Sequence, residues 1–204
     1  MIAIIDYGVG NLYSLESSFG AIGAAVTVTA DPKVIASAEK ILLPGVGAFG
    51  DAADKLRSSG LAEVVVEQAN TGKPLLGICL GMQLLFETGY EYGTHQGLGL
   101  IPGQVRPISD VVPKELKIPH MGWNALDFTR DSRLFTHIQN GDYVYFVHSY
   151  YATGCADATV ATAEYGTALT AAVEKGNVFG CQFHPEKSGA VGLKILKAFC
   201  EMKV

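Results

Sequence analysis

Charged side chains are scarce in this chain. Asp, Glu, Lys and Arg make up 17% of its 204 residues, against about 25% in an average soluble domain. The 15 Lys and Arg form no run, and 20 acids leave a net charge of −5, so the basic footprint of a nucleic-acid binder is missing. No apolar stretch reaches the ~18–20 residues of a membrane span. The opening MIAIIDYGVGN has no basic segment and meets Asp6 early, so no secretory signal is expected. Cysteine is sparse: Cys79, Cys155, Cys181 and Cys200 have no C-x-x-C spacing, which excludes a disulfide framework. No His, Cys and carboxylate grouping has metal-ligand spacing. These absences predict a cytoplasmic protein with free thiols and no metal, membrane or nucleic-acid partner. What is present is apolar: 49% hydrophobic residues exclude disorder, and a chain of this length can bury the core of one domain, residues 1–204. Glycine is abundant at 24 residues, well above the usual ~7%, which predicts many tight turns or close backbone approaches.

The first ninety residues alternate between short apolar runs and amphipathic stretches. Ile2–Ile5, Ala25–Thr29, Ile41–Leu43 and Leu75–Ile78 read as buried strands. Between them Asn11 can cap a helix carrying Leu12, Leu15, Phe19 and Ile22 on one face. Phe49 to Asn70 holds one or two helices broken near Gly60, and Leu80–Glu87 reads as another helix. Such alternation implies a parallel sheet covered on both faces, with right-handed crossovers. Beyond about Glu91, turn formers and β-rich pieces dominate: Tyr143–Val147, Thr159–Thr162, Leu169–Val173, and a hairpin into Phe179–Phe183. A final helix from Val191 to Met202 is expected. The fold class is α/β, with an antiparallel β extension; Ser109–Lys117 fits no element.

Three pieces carry chemistry. In Gly77-Ile78-Cys79-Leu80-Gly81 an apolar run ends and a helix begins at once, the cysteine counterpart of the G-x-S-x-G nucleophile elbow. Cys79 would stand at the carboxyl end of the sheet and at a helix N-terminus, where the dipole favours a thiolate, with the Leu80 N–H free for an oxyanion. A small buried cysteine in a strand-to-helix turn is the alternative. A nucleophilic thiol needs a base and an orienting group. His184-Pro185-Glu186 supplies both if the backbone is extended, because alternate side chains then share a face. Of the other histidines His148 is the competitor, but no acid lies two positions away, and a surface or core role explains it. Pro44-Gly45-Val46-Gly47 follows a strand, and its glycines let backbone amides turn toward a ligand; an ordinary glycine-rich turn reads the same. Gly8-Val9-Gly10 suggests a dinucleotide loop, but Tyr13 stands where the third glycine is needed, and no cofactor is expected. Jointly the three pieces indicate acyl transfer through a thioester.

At these residues the chain resembles the class I (triad) glutamine amidotransferases. The matches are Pro-Gly-Val-Gly at 44–47, Gly-Ile-Cys-Leu-Gly-Met-Gln at 77–83 and Gln-Phe-His-Pro-Glu-Lys at 182–187. Within that family the pieces Asp6–Asn11, Pro119–Asn124 and Tyr145–Tyr150 are similar to glutaminase subunits serving histidine biosynthesis. The resemblance, nearly end to end, implies a flavodoxin-like, mostly parallel sheet flanked by helices. It implies Cys79 as nucleophile on glutamine, His184 as proton shuttle and Glu186 as its orienting group, with the amides of Val46 and Leu80 as oxyanion hole. Gly47, Gln83, Ser149 and Tyr150 would hold glutamine, and Glu91 its amino group. The implied partner is a (β/α)8-barrel cyclase, bound as a heterodimer near Asn11, Trp123, Tyr145 and Lys187. It would receive ammonia and make imidazole glycerol phosphate and aminoimidazole carboxamide ribotide. Two other classes stay open: a cysteine hydrolase or deglycase of the related α/β superfamily, and a non-catalytic subunit.

Overall fold

The computed structural model describes residues 1–203. An eight-stranded sheet forms its centre, in the order β2-β1-β3-β4-β14-β13-β12-β9. Its strands are β1 (Ile2–Ile5), β2 (Val26–Thr29), β3 (Lys40–Leu43), β4 (Leu75–Ile78), β9 (Asp127–Phe128), β12 (Thr159–Glu164), β13 (Ala168–Lys175) and β14 (Val178–Cys181). The pairings β1–β2, β1–β3, β3–β4 and β4–β14 are parallel, and those joining β14, β13, β12 and β9 are antiparallel. The expected α/β class with an antiparallel extension is therefore what the chain adopts. Two smaller sheets flank the centre. One contains β11 (Tyr150–Thr153), β7 (Ile101–Pro107), β5 (Phe86–Gly89) and β6 (His95–Gln96); the other is a ribbon of β8 (His120–Ala125) and β10 (Tyr143–His148).

Period-two alternation in the strands sorts the core into two layers. Ala3, Ile5, Ile41, Leu43 and Leu75 pack with Phe49, Ala52 and Leu56 of α3 (Phe49–Ser58) and Leu61 and Val65 of α4 (Leu61–Asn70). Ile2, Ile4, Leu42, Leu76 and Ile78 pack with Leu15 and Phe19 of α1 (Leu12–Ala21) and with Ile195, Leu196 and Phe199 of α6 (Gly189–Glu201). Every residue of β1, β3 and β4 is buried, as a sheet covered by helices on both faces requires. A short α2 (Pro32–Ser37), capped by Asp31, was not expected from the sequence. Gly60, at φ +74°, divides α3 from α4 where the break was expected.

Three expectations need correction. The helix after Cys79 is only α5 (Leu80–Leu84), and Phe86–Gly89 is a strand. The carbonyls of Leu84, Leu85, Phe86 and Glu87 accept N–H groups from Gly97 to Ile101 instead of continuing a helix. Asn11 occupies the position before α1, but its side chain makes no capping bond. The strand leading to His184 ends at Cys181, and Pro185–Lys187 forms a single 3₁₀ turn. The Ser109–Lys117 stretch begins in a 3₁₀ turn over Ile108–Asp110. It is fastened by a Tyr165 hydroxyl donating to the Lys117 carbonyl at 2.7 Å.

Candidate active site

Three adjacent parallel strands, β3, β4 and β14, deliver the three chemical pieces to one end of the sheet. Ile78 is in register with Cys181, and the Cys79 N–H bonds the Cys181 carbonyl at 2.8 Å. The nucleophile candidate thus lies one residue beyond a register pair and His184 three beyond it. The glycines around Cys79 interlock with the neighbouring strand end. A Cβ on Gly77 would come within 2.7 Å of the Gly81 carbonyl, one on Gly45 within 2.7 Å of the Gly81 nitrogen, and one on Gly81 would strike the Leu43 carbonyl. No side chain fits at these three positions while β3, β4 and α5 keep this spacing.

Cys79 itself sits at φ +54°, ψ −112°, backbone that strains any residue with a Cβ by roughly 1–3 kcal/mol. Cys79→Gly is therefore expected to be about 1 kcal/mol or more stable than Cys79→Ala, the reverse of the usual ~0.5–1 kcal/mol preference for alanine over glycine. Urea unfolding of the two variants checks the sign; alanine ranking above glycine would mean the elbow is relaxed.

The His184 side chain is 3% exposed and that of Glu186 2%, with Nδ1 and Oε1 2.8 Å apart. Cys79 is the other group that acts on the His184 ring; with Nδ1 committed to Glu186, Nε2 is the nitrogen free to face the sulfur. Burial works against a charged ring, but the hydrogen bonds and negative charges of Cys79 and Glu186 outweigh it and raise His184 from 6.5 to about 9. The pair forms through the 3₁₀ turn, with extended backbone only at His184 (φ −101°, ψ 98°), so the extended His-x-Glu expected from the sequence is replaced by a tighter loop with the same pairing. Glu186 Oε2 is buried with no hydrogen-bond partner among the described residues.

Beside this group lies a cavity of about 330 Å³, inside the ~300–1,000 Å³ range of small-molecule sites. Its walls bring together Cys79, His184, Val46, Gly47, Leu80, Gln83, Glu91, Ser149, Tyr150 and Lys187. Glu186 stands behind His184. Lys187, expected to face a partner, also lines the cavity. Asn11, Trp123 and Tyr145 are outside it. Trp123 is 55% exposed, meets Tyr145 edge-on with ring centroids 6.2 Å apart, and lies against Gly189. The Val46 and Leu80 N–H groups have no hydrogen-bond partner among the described residues, as an oxyanion site needs. Glu91 is partly committed, since its Oε2 accepts the Phe49 N–H at the start of α3 at 2.7 Å.

Several residues were missed by reasoning from sequence. The buried Tyr7 hydroxyl donates to the Pro44 carbonyl at 2.7 Å and anchors the start of the 44–47 loop. Gly10, at φ +129°, would place a Cβ 3.1 Å from the Pro44 side chain, so the Gly8-Val9-Gly10 turn packs against that loop through Gly10. His148 lines the cavity and is buried, with Nε2 2.9 Å from His120 Nδ1 and Nδ1 2.8 Å from the Tyr150 carbonyl. A carbonyl only accepts, so His148 Nδ1 carries a proton and His120 Nδ1 donates to His148 Nε2.

Burial holds both of these histidines down, from 6.5 to about 4; for His148 the charges of His120 and His184 add to this, against the Tyr150 carbonyl. The folded state thus binds fewer protons than the unfolded state between pH ~6.5 and ~4, and stability falls as pH drops through that window. At about 1.4 kcal/mol per pH unit for each proton, a loss of a few kcal/mol is expected, read as the urea midpoint at pH 7 and pH 5. His148→Gln should flatten the slope. His184, raised, acts elsewhere: its contribution is complete below 6.5 and is lost as pH rises through about 9.

Comparisons with known proteins bear on the family and the fold. The family model described as "Glutamine amidotransferase class-I" matches residues 3–202. An "Imidazole glycerol phosphate synthase subunit HisH" from Syntrophotalea carbinolica is 50% identical over 207 residues, covering 99% of this chain and 100% of the relative. Its namesake from Caldanaerobacter subterraneus subsp. tengcongensis is 52% identical over 203 residues, covering 99% and 98%. Among solved structures, one titled "Crystal structure of glutamine amidotransferase" superposes with a TM-score of 0.76 at 16% identity, covering 98% of each chain. "Structure of PurLQS from Thermotoga maritima" superposes at 0.72 with 22% identity, covering 97% and 96%. At those identities the structural matches speak for the fold alone.

Proposed function

Because the chain belongs to the class I glutamine amidotransferases, and within them to the family of imidazole glycerol phosphate synthase subunits HisH, we propose that it hydrolyses glutamine for a cyclase partner in histidine biosynthesis, as a single amidotransferase domain spanning residues 1–204. The observation that carries the reading is the run Cys79–His184–Glu186 against the wall of the cavity. Cys79 sulfur attacks the side-chain carbonyl of glutamine, and the negative charge on oxygen is met by the Val46 and Leu80 N–H groups. The carbon–nitrogen bond then breaks as His184 gives its proton to the leaving ammonia. Water adds to the thioester, His184 takes a proton from it, and glutamate leaves with the thiol restored.

Glutamine is held by Gly47, Gln83, Ser149 and Tyr150, with its ammonium toward the Glu91 carboxylate. Ammonia passes to a (β/α)8-barrel cyclase docked on the face that carries Asn11, Trp123, Tyr145 and Lys187. The exposure of Met121, Trp123 and Tyr143, each above half, supports a protein partner there, since exposed apolar patches mark interaction sites. The cyclase would use the ammonia to release imidazole glycerol phosphate and aminoimidazole carboxamide ribotide. No metal or cofactor is needed for these steps.

The test is glutamate release by the chain alone and mixed with such a cyclase and its nucleotide. Release that rises with the cyclase is expected. Hydrolysis indifferent to any cyclase would indicate a free-standing amidohydrolase, and rescue by the synthase subunit of another pathway would assign a sibling glutaminase.

A further inference from the structure

We propose that Gln182 is a further catalytic residue, its carboxamide N–H donating to the Cys79 sulfur and favouring the thiolate. The proposal rests on the reading of Cys79 as the nucleophile. Gln182 is fully buried, and its Nε2 lies 3.7 Å from Cys79 Sγ. Beyond Cys181 the chain bends away from the end of β14. Phe183 enters the core edge-on to Phe146, while the Gln182 amide reaches the sulfur. The segment that carries His184 thus also brings a donor to the nucleophile.

The orientation of the Gln182 amide follows from its neighbours, not from its own outline, in which nitrogen and oxygen look alike. The Tyr150 carbonyl can only accept. It receives His148 Nδ1–H at 2.8 Å and therefore also faces the amide nitrogen of Gln83, at 3.2 Å. That nitrogen is 3.0 Å from the Gln182 amide as well, so Gln182 must turn its oxygen to it. Its N–H groups are then left toward Cys79. A polar side chain without exposure costs free energy unless bonded, and here each end of the amide has a partner, one of them the sulfur. A thiol is a weak acceptor and a thiolate a far better one, so a fixed donor at that distance favours the ionised, reactive form. Gln182 does not line the cavity, so its influence falls on the nucleophile and not on glutamine binding.

The experiment uses the full chain with Gln182→Met, which keeps length and volume but has no donor, and Gln182→Glu, which keeps the outline. Alkylation of Cys79 by iodoacetamide is followed against pH by peptide mass, and glutamate release is then measured with the cyclase. With Gln182→Met the alkylation curve should move about one pH unit toward alkaline, and kcat should fall about tenfold, the low end for losing a hydrogen bond to an ionised group. KM should stay within about twofold. Gln182→Glu, which sets an oxygen against the sulfur, should move the curve further in the same direction, and it decides the matter if the Met variant does not fold. Alkylation curves that superimpose on the parent's would overturn the proposal. Since alkylation needs neither glutamine nor cyclase, this result is separate from failure of the proposed function, which would appear as a parent chain that alkylates readily yet releases no glutamate.

Discussion

Cys79→Ala is expected to lower glutamate formation by about 10⁴-fold or more, the scale seen when a covalent nucleophile is removed and only binding and oxyanion contacts remain. No other thiol can take its place. Cys181 is fully buried, and desolvation with the charges of Glu186 and Cys79 pushes its thiol well above the usual range. Cys155 is raised by burial despite hydrogen bonds from Thr159 and Thr170, and Cys200 is raised by burial to about 11. All three would be overwhelmingly protonated thiols at neutral pH, and none lines the cavity. On the proposed reading the same variant mixed with the cyclase and an ammonium salt should form product at the parent's rate, because that reading gives the second reaction to the other chain. Folding is judged separately, by urea unfolding and by co-elution with the cyclase: a folded variant without its sulfur still binds and loses only the glutamine-dependent half. Residual glutaminase above about one per cent of the parent would remove Cys79 from the mechanism.

The parts of this site that were legible from sequence are those fixed by local geometry. Gly77 and Gly81 report the elbow because a Cβ two residues to either side of Cys79 collides with backbone: for Gly77 with Gly81 itself, and for Gly81 with the Leu43 carbonyl at the end of the adjacent strand. His184 and Glu186 were legible for the same reason, although the pairing forms in a 3₁₀ turn and not in extended backbone. The buried strands of the parallel sheet were legible as short apolar runs, since both faces are covered.

What was not legible depends on partners distant in the chain. The apolar periodicity of Leu80–Glu87 suits a helix, but the 97–101 segment claims its carbonyls, and nothing inside the eight residues records that. His148 looked dispensable when judged by its sequence neighbours. Its partner His120 is 28 positions away and reaches it because β8 and β10 pair His120 directly with His148. Tyr7 and Gln182 likewise matter through single contacts with Pro44 and Cys79, 37 and 103 positions off. A six-on-six match between His120–Ala125 and Tyr143–His148 was the one signal that could have exposed the histidine pair.

Glu186→Gln is expected to reduce kcat by about 10³–10⁴-fold with little change in KM, and to lose at pH 7 part of the stability that the raised His184 contributes. The parent keeps a carboxylate at 2% side-chain exposure whose Oε1 pairs with His184 and whose Oε2 has no hydrogen-bond partner among the described residues. A buried charged oxygen without a partner costs stability, while the pairing of the other oxygen with His184 offsets part of that cost below the raised pKa. In the proposed reaction the Glu186 charge has a use: together with Cys79 it lifts His184 to about 9 against the cost of burial, which would keep a proton on the ring ready for the leaving ammonia. A glutamine in the same outline cannot do this. If its oxygen faces Nδ1, the tautomer is kept but the ion that stabilises the charged ring is gone. If its NH₂ faces Nδ1, the neutral ring must carry its proton on Nε2, toward the sulfur, and cannot accept one there. Either way the proton transfers should slow, as when a triad carboxylate is replaced by its amide, whereas the residues proposed to hold glutamine, which lie elsewhere in the cavity, are untouched. Steady-state kinetics with the cyclase give kcat and KM, and urea unfolding at pH 7 gives stability. A variant that unfolds earlier and keeps kcat within tenfold of the parent would make Glu186 a structural anchor of the 185–187 turn instead of part of the proton relay.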